Sequence, residues 1–589
     1  MAGQDENLRK FGALAWTIIL LQPIILCVFV PIAKFNLWNP PLWIYSCVMN
    51  IIHPYTWSYM LVLSLFWVLV ISGRAKHYSV SPPVLSSRLS LMWNVLQPKH
   101  LFLIGCHQMT GAVSAWCFSS LLGDRYSQLT QECDHVEHRD DGIESPKFCL
   151  NEHHAMSVLY GFVTGLICGV KFFVQRQGYL HFPAVQQPKL FQVKACIMPS
   201  LVFALRQSLQ QLFYFLIACY LIIGTLVKQY LCRALGVSAN EIGLDSLTGL
   251  LDLSLFCHLT LASVLTIFMF SLSSALFKAY LTQPMEFQIE SSIEEEKKGC
   301  LPGIMSSDKD KFLQYQAYQD LWLLCQHSPK RRQVLFSLSQ PGGHPHSWTA
   351  VSGQCLTMLN VMNIAIRNAS ETIMTGVPAT TVVQEKQPTV ANISATFNDS
   401  LYTSGADLSF RKPATQAADS FYHPSGAVPQ PVPAPTPLKV KICEHLKKRK
   451  AIAFFVSDLP DASNKRLFQD CQIYVWAVHA LGCLAEASFK YDSYGVVQKS
   501  LPNLISTLLF LQEAVEKHLK LCPPSAVNSN RKSGRPSVLD PNISLRLALR
   551  SALKSSLYKI VLTFDKHLSA LDVSQEHHRR LQQFATFKE

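Results

Sequence analysis

Histidine and cysteine offer the most chemistry in this chain, and their spacing uses little of it. The 589 residues include 18 cysteines and 20 histidines. There is no C-x-x-C pair and no histidine spacing typical of zinc. His153-His154 follows Glu152, and His344-Pro345-His346 lies in a Pro-Gly stretch. Two histidines without a third ligand make a poor zinc site, so both read as surface or loop residues. No Asp-His-His-Cys box, His-Glu-x-x-His or Gly-x-Ser-x-Gly occurs. No nucleophile sits beside a base, so catalytic, cofactor and metal residues are all assigned as none. Cys133 and Cys149 flank an acid-rich stretch. An oxidising lumen would permit a disulfide between them, with free thiols as the alternative.

The elements that must position these residues are long and apolar. A hydrocarbon crossing takes about 20 mainly apolar residues. Phe11–Ala33, Tyr55–Ser72, Leu101–Leu122, Ala155–Val174, Leu201–Val227 and Leu250–Phe277 meet or approach that length. A soluble helix shows a polar face, and these mostly do not. Six membrane spans are therefore expected within residues 1–283. The first run is too long for a signal-peptide core and reads as a retained anchor.

Flanking charge sets the expected topology. Arg9 and Lys10 precede the first span. Arg74, Lys76, Arg88 and Lys99 follow the second, Lys171, Arg176, Lys189 and Lys194 follow the fourth, and Lys278 follows the sixth. Lys and Arg mark the cytoplasmic side, which places both termini there and Cys133 and Cys149 in the lumen. The net charge of +13 is then mainly that of basic non-translocated loops, with nucleic-acid binding the weaker reading.

Within the spans, Ser157, Gly161, Gly165 and Gly169 recur every four residues. Such a stripe of small residues lets a second helix approach closely in lipid, within the bundle or between protomers. Arg206, Asp252 and His258 raise the alternative of a multi-pass transporter with a regulatory tail. Arg206 and Asp252 sit near span ends where charges can reach water. One interior histidine is little for a proton path.

Beyond residue 283 the chain turns polar, with no further apolar run of span length. Residues 300–368 read as a helical segment: Leu313, Ala317, Leu321 and Leu324 share a helix face, as do Val351, Cys355, Met358 and Met362. Ser328-Pro329 restarts a helix between them. Residues 369–437 are rich in Ser, Thr, Ala, Pro and Val and read as a disordered linker. Residues 438–589 read as an α-helical C-terminal domain. Its stripes are Cys471, Val475, Val478, Gly482 and Ala485; Leu501, Leu504, Leu508, Leu511, Val515 and Leu519; and Leu549, Leu553, Leu557, Ile560, Phe564 and Leu571. Cys522-Pro-Pro and residues 534–541 mark breaks. Lys447, Lys448, Arg449 and Lys450 lie on an amphipathic stretch suited to anionic lipid or a partner, with a solvated face as the alternative. The expected fold class is all-α.

Ser328-Pro-Lys-Arg-Arg-Gln-Val-Leu-Phe-Ser-Leu-Ser-Gln-Pro-Gly-Gly-His-Pro-His-Ser-Trp348 closely resembles the signature of the nuclear-division-cycle transmembrane nucleoporins. Tyr318-Gln-Asp-Leu-Trp-Leu-Leu, Gly495-Val-Val-Gln-Lys-Ser-Leu-Pro502 and Glu576-His-His-Arg-Arg-Leu-Gln-Gln-Phe584 resemble the family too, nearly end to end. The resemblance implies a non-enzymatic protein of the nuclear envelope. It would anchor the nuclear pore scaffold to the membrane and support pore assembly, and hence protein and mRNA transport. Implied partners are the RRM-bearing scaffold nucleoporin, the WD-repeat protein aladin, other pore-membrane proteins and the bilayer, with no direct nucleic acid. The linker carries no Phe-Gly repeats and is short for an animal member.

Overall fold

A computed structural model describes residues 2–36, 38–81, 84–123, 126–132, 148–183, 187–237, 252–291, 298–308, 310–338, 343–375, 454–455, 457, 462–523 and 541–586. Cys133, Lys447–Lys450, and 376–437 of the linker lie outside them. Helix dominates. The described strands are β1 (Thr130–Glu132) and β2 (Phe148–Leu150), paired antiparallel. Internal contacts divide the chain into two units. The first comprises Met1–Val84, Ser90–Phe287 and Ser307–Ala317. The second comprises Leu85–Leu89, Gln288–Ser306 and Tyr318–Glu589.

The first unit is a helix bundle. Its elements are α1 (Ala2–Ile24), α2 (Val30–Ala33), α3 (Pro40–Ile52), α4 (Pro54–Ala75), α5 (Arg88–Val95, begun in the other unit), α6 (Pro98–Leu122), α7 (Glu152–Val174), α8 (Lys189–Ala218), α9 (Gly224–Leu235) and α10 (Leu253–Leu281). Local chemistry sets several starts. Pro40, Pro54 and Pro98 occupy first-turn positions whose amide would lack a partner anyway. Asn151 caps α7 by accepting from the His154 amide, and Asp252 caps α10 by accepting from that of Ser254. The main pairings are α6 with α7, α8 with α10, α4 with α6, and α1 with α10. Leu61, Leu65, Phe102, Phe213 and Leu221 remain exposed on the outside, as lipid-facing positions should.

Six helices among the described residues are long and apolar enough to cross a membrane. They are Pro54–Ala75, Pro98–Leu122, Glu152–Val174, Lys189–Leu221, Leu253–Leu281 and His346–Thr375. The first five overlap spans expected from the sequence. The expected first span is helical but irregular, because a π-helical turn at Ile25–Phe29 separates α1 from α2. Pro23 and Pro31 each remove an amide donor there, which disturbs the regular ladder. The sixth helix, His346–Thr375, corrects the expectation that the tail has no run of this kind. It also carries regular structure past the expected linker boundary at 369. Its Val351, Cys355, Leu359 and Ile366 are buried within the second unit. Length and composition alone do not separate a core helix from a lipid-facing one.

The second unit contains α11 (Leu301–Met305), the latter part of α12 (Lys311–His327), α13 (Pro329–Phe336), α14 (His346–Thr375), α15 (Ala462–Leu467), α16 (Cys471–Tyr491), α17 (Val496–Leu521), α18 (Pro541–Phe564) and α19 (Gln575–Ala585). The pairs α16–α18 and α14–α17 form its centre, with α17–α18 contacts joining them. The apolar faces read from the sequence point inward, except that Leu313, Met358, Leu519 and Leu571 are only partly buried.

Candidate functional site

In the membrane bundle the glycine stripe of α7 lies directly on α6. A Cβ added at Gly165 would fall 2.2 Å from the His107 carbonyl oxygen, and one at Gly161 would fall 2.4 Å from Ala115 Cβ. Gly169 is less tight, with 3.2 Å to Ile104 Cα. Gly111 on α6 completes the seam, since its own Cβ would meet the Gly161 carbonyl at 2.2 Å. The stripe thus has an internal partner. Gly111-x-x-x-Ala115 was the sequence signal for the α6 side, and it was missed because it lacks a long repeat.

Polar side chains fasten neighbouring helices. Ser119 Oγ on α6 donates to Ser157 Oγ on α7 at 2.8 Å, and His258 Nε2 on α10 lies 3.1 Å from Ser119 Oγ. His258 thus meets serines of adjacent helices, which is packing chemistry rather than a relay between acids. Tyr160 donates from α7 to the Ser208 carbonyl of α8 at 3.1 Å. Asp252 is spent as a cap near the start of α10, whereas Arg206, expected near a span end, lies midway along α8 and is exposed.

In the first turn of α7, Glu152 pairs with Lys228 at 2.7 Å. His154, expected at the surface, is instead 3% exposed, with Nδ1 2.6 Å from the Tyr126 carbonyl. Cys149 sits opposite Gln131 in the β-ribbon and is disulfide-bonded. Among the described residues no group of three or more His, Cys, Asp or Glu could hold a metal.

The 328–348 motif serves as a latch in the second unit. Arg331 on α13 grips the buried Asp320 of α12 through two bonds of 2.7 and 2.8 Å. Arg332 donates to the Cys325 carbonyl at 2.6 Å and lies over the Tyr491 ring. At the far end Trp348, 2% exposed, packs near Phe336 and donates to Ser500 Oγ of α17 at 3.0 Å. The motif's charged and aromatic residues therefore hold α12, α13, α14 and α17 together. Gly482 brings α16 against α18, where an added Cβ would meet Ser556 Cβ at 2.6 Å.

A buried thiol pair lies near this latch. The neighbouring Cys325 thiol, against the opposing effect of burial, holds Cys483 below the ordinary thiol value. Lys559 Nζ, 3.3 Å from the Cys483 sulfur, helps. A depressed folded-state value gives stability that is full above the ordinary thiol value near 9 and is lost as pH falls below it. Melting curves collected from pH 9 downward should show wild type losing stability relative to Cys483→Ala. Parallel curves would mean that Cys483 is not ionised in the fold.

The apolar helices of membrane-spanning length define a multi-pass membrane protein, whose second unit is also helical. The family described as "Nucleoporin protein Ndc1-Nup" matches residues 8–582. The chain is 31% identical to Nucleoporin NDC1 of Xenopus laevis, over 99% of this chain and 98% of that protein. It is 31% identical to Nucleoporin NDC1 of Homo sapiens, over 99% and 97%. Against Nucleoporin NDC1 of Danio rerio it is 32% identical, over 99% and 98%. The chain belongs to the Ndc1-Nup nucleoporin family.

Proposed function

We propose that this chain anchors the nuclear pore scaffold to the pore membrane and supports pore assembly, and thereby transport of protein and mRNA. The observation that carries the proposal is its construction. A membrane-length helix bundle and a separately packed helical unit occur together in a chain that matches a nucleoporin family nearly end to end. The bundle supplies attachment, and the second unit supplies surfaces for scaffold nucleoporins. The RRM-bearing nucleoporin, aladin and other pore-membrane proteins are the partner types. In this reading the role is adhesive and non-enzymatic, with no direct nucleic-acid contact.

The same reading divides the chain into a membrane domain (1–283), a motif segment (300–368), a linker (369–437) and a C-terminal domain (438–589). Both termini face the cytoplasm and pore, and a Cys133–Cys149 bridge lies in the lumen. Lys447–Lys450 contact anionic lipid or a partner.

Nuclear envelopes from cells carrying a tagged full-length copy test this. The expected result is a punctate nuclear rim, co-isolation of scaffold nucleoporins, and removal of the tail by protease while the Cys149 peptide stays protected. A uniform reticular signal without scaffold proteins would sink the anchoring role. A protease-resistant tail would reverse the topology.

A further inference from the structure

Arg74 is the least expected charge in the bundle. It is 2% exposed near the end of α4, and its guanidinium donates to the Phe270 carbonyl at 3.1 Å and Ser273 Oγ at 3.0 Å. The guanidinium also lies 4.6 Å from the centroid of the Phe172 ring. Its Nε has no partner. Burying a cation costs several kcal/mol after relaxation unless it is paired. Neutral oxygens and an aromatic face offset only part of that.

Arg74 borders a cavity of about 730 Å³ within the first unit, also bordered by Lys171 and Lys278. The lining contains no Asp or Glu. Among the described residues no acid pairs with any of these three cations. Gln207, 5% exposed, also borders the cavity, and its Oε1 is buried without a partner. The ends of α4, α7 and α10 bring partial negative charge that favours cations nearby. That accounts for basic residues in last turns. It does not account for three of them around a sizeable cavity whose lining holds no acid.

The missing component is an anion, and the rest of the wall describes the molecule that carries it. The lining also includes the apolar Ile267, Phe270 and Phe203, and Phe203 is 43% exposed. A free anion has no use for such a wall, whereas an acyl chain does. Basic pockets between spans that continue into apolar surface suit anionic headgroups. The volume also falls within the ~300–1,000 Å³ range of small-molecule sites.

We propose that this cavity holds an anionic glycerophospholipid. Its phosphate lies among Arg74, Lys171 and Lys278, and its chain leaves along Phe203. The inference requires only that the bundle be embedded in a bilayer.

Native mass spectrometry of the purified full-length protein tests it, with dioleoyl phosphatidic acid, phosphatidylinositol or phosphatidylcholine offered in mixed micelles. Arg74→Gln risks misfolding, so the working variant is Lys171→Gln/Lys278→Gln, with Lys278→Arg as the charge-preserving control. One anionic lipid should remain bound per chain, preferred over phosphatidylcholine by about tenfold or more, as pairing with basic side chains implies. That preference should vanish in the double variant and survive in Lys278→Arg. Equal retention of phosphatidylcholine would overturn the proposal, and so would an unchanged preference in the double variant. Loss in Lys278→Arg would indicate packing rather than charge. Thermal protection by inorganic phosphate or glycerol 3-phosphate equal to that by the lipid would replace the lipid with a soluble anion.

Discussion

Gly165→Ala is expected to destabilise the membrane bundle by about 1–3 kcal/mol, the usual cost of overpacking a closed interface, and Gly165→Leu by more. The methyl group would occupy a point 2.2 Å from the His107 carbonyl oxygen and 2.9 Å from Gln108 Cα. Both are backbone atoms of α6, so no side chain can swing aside. The helices must separate, which opens the neighbouring contacts at Gly111 and Gly161 as well. In lipid this matters more than in water, because close packing rather than hydrophobic burial holds spans together. Gly105 on the partner helix α6 supplies the control, since a Cβ there meets nothing within 4 Å. Gly105→Ala should be neutral or slightly stabilising through helix propensity. Melting of the detergent-purified chain, followed by fluorescence-detected size exclusion, reads both. If Gly165→Ala and Gly105→Ala melt together, the seam is not a tight backbone contact.

Arg331→Met should cost about 3 kcal/mol in the second unit, at the low end for breaking a buried ion pair because the arginine keeps some solvent contact. Asp320 is 2% exposed, and its two oxygens face the guanidinium at 2.7 and 2.8 Å. Removing the arginine leaves a carboxylate where water cannot replace the partner. The penalty belongs mainly to that buried charge. Arg331→Met combined with Asp320→Leu should therefore recover much of the loss, a coupling that a double-mutant cycle measures directly. The readout is protease resistance and the melting midpoint of the full chain. Additive losses in the cycle would show that the pair does not act as a unit. Because the latch joins α12 to α13, loss of scaffold co-isolation should accompany the single variant and ease in the double.

Apolar length and helical periodicity determined most of what was legible in the sequence. Five spans and the three principal stripes of the tail were visible because each rests on local spacing, and lipid or core burial rewards that spacing directly. The 328–348 motif identified the family from residue identity alone. Its physical task stayed hidden, because Arg331 reaches Asp320 only once α12 and α13 fold back on one another. The tertiary structure alone decided that the stripe of α7 meets α6. A run of small residues states that something comes close, not which helix does. It also showed which residues of His346–Thr375, among them Val351, Cys355 and Ile366, are buried against the rest of the second unit. Arg74 shows the same division. Along the chain it is one flanking charge among several, whereas in the fold it is a buried cation beside two lysines with no acid lining their cavity. Charge near a span end is a local property, but the absence of a counter-ion depends on every helix packed around it.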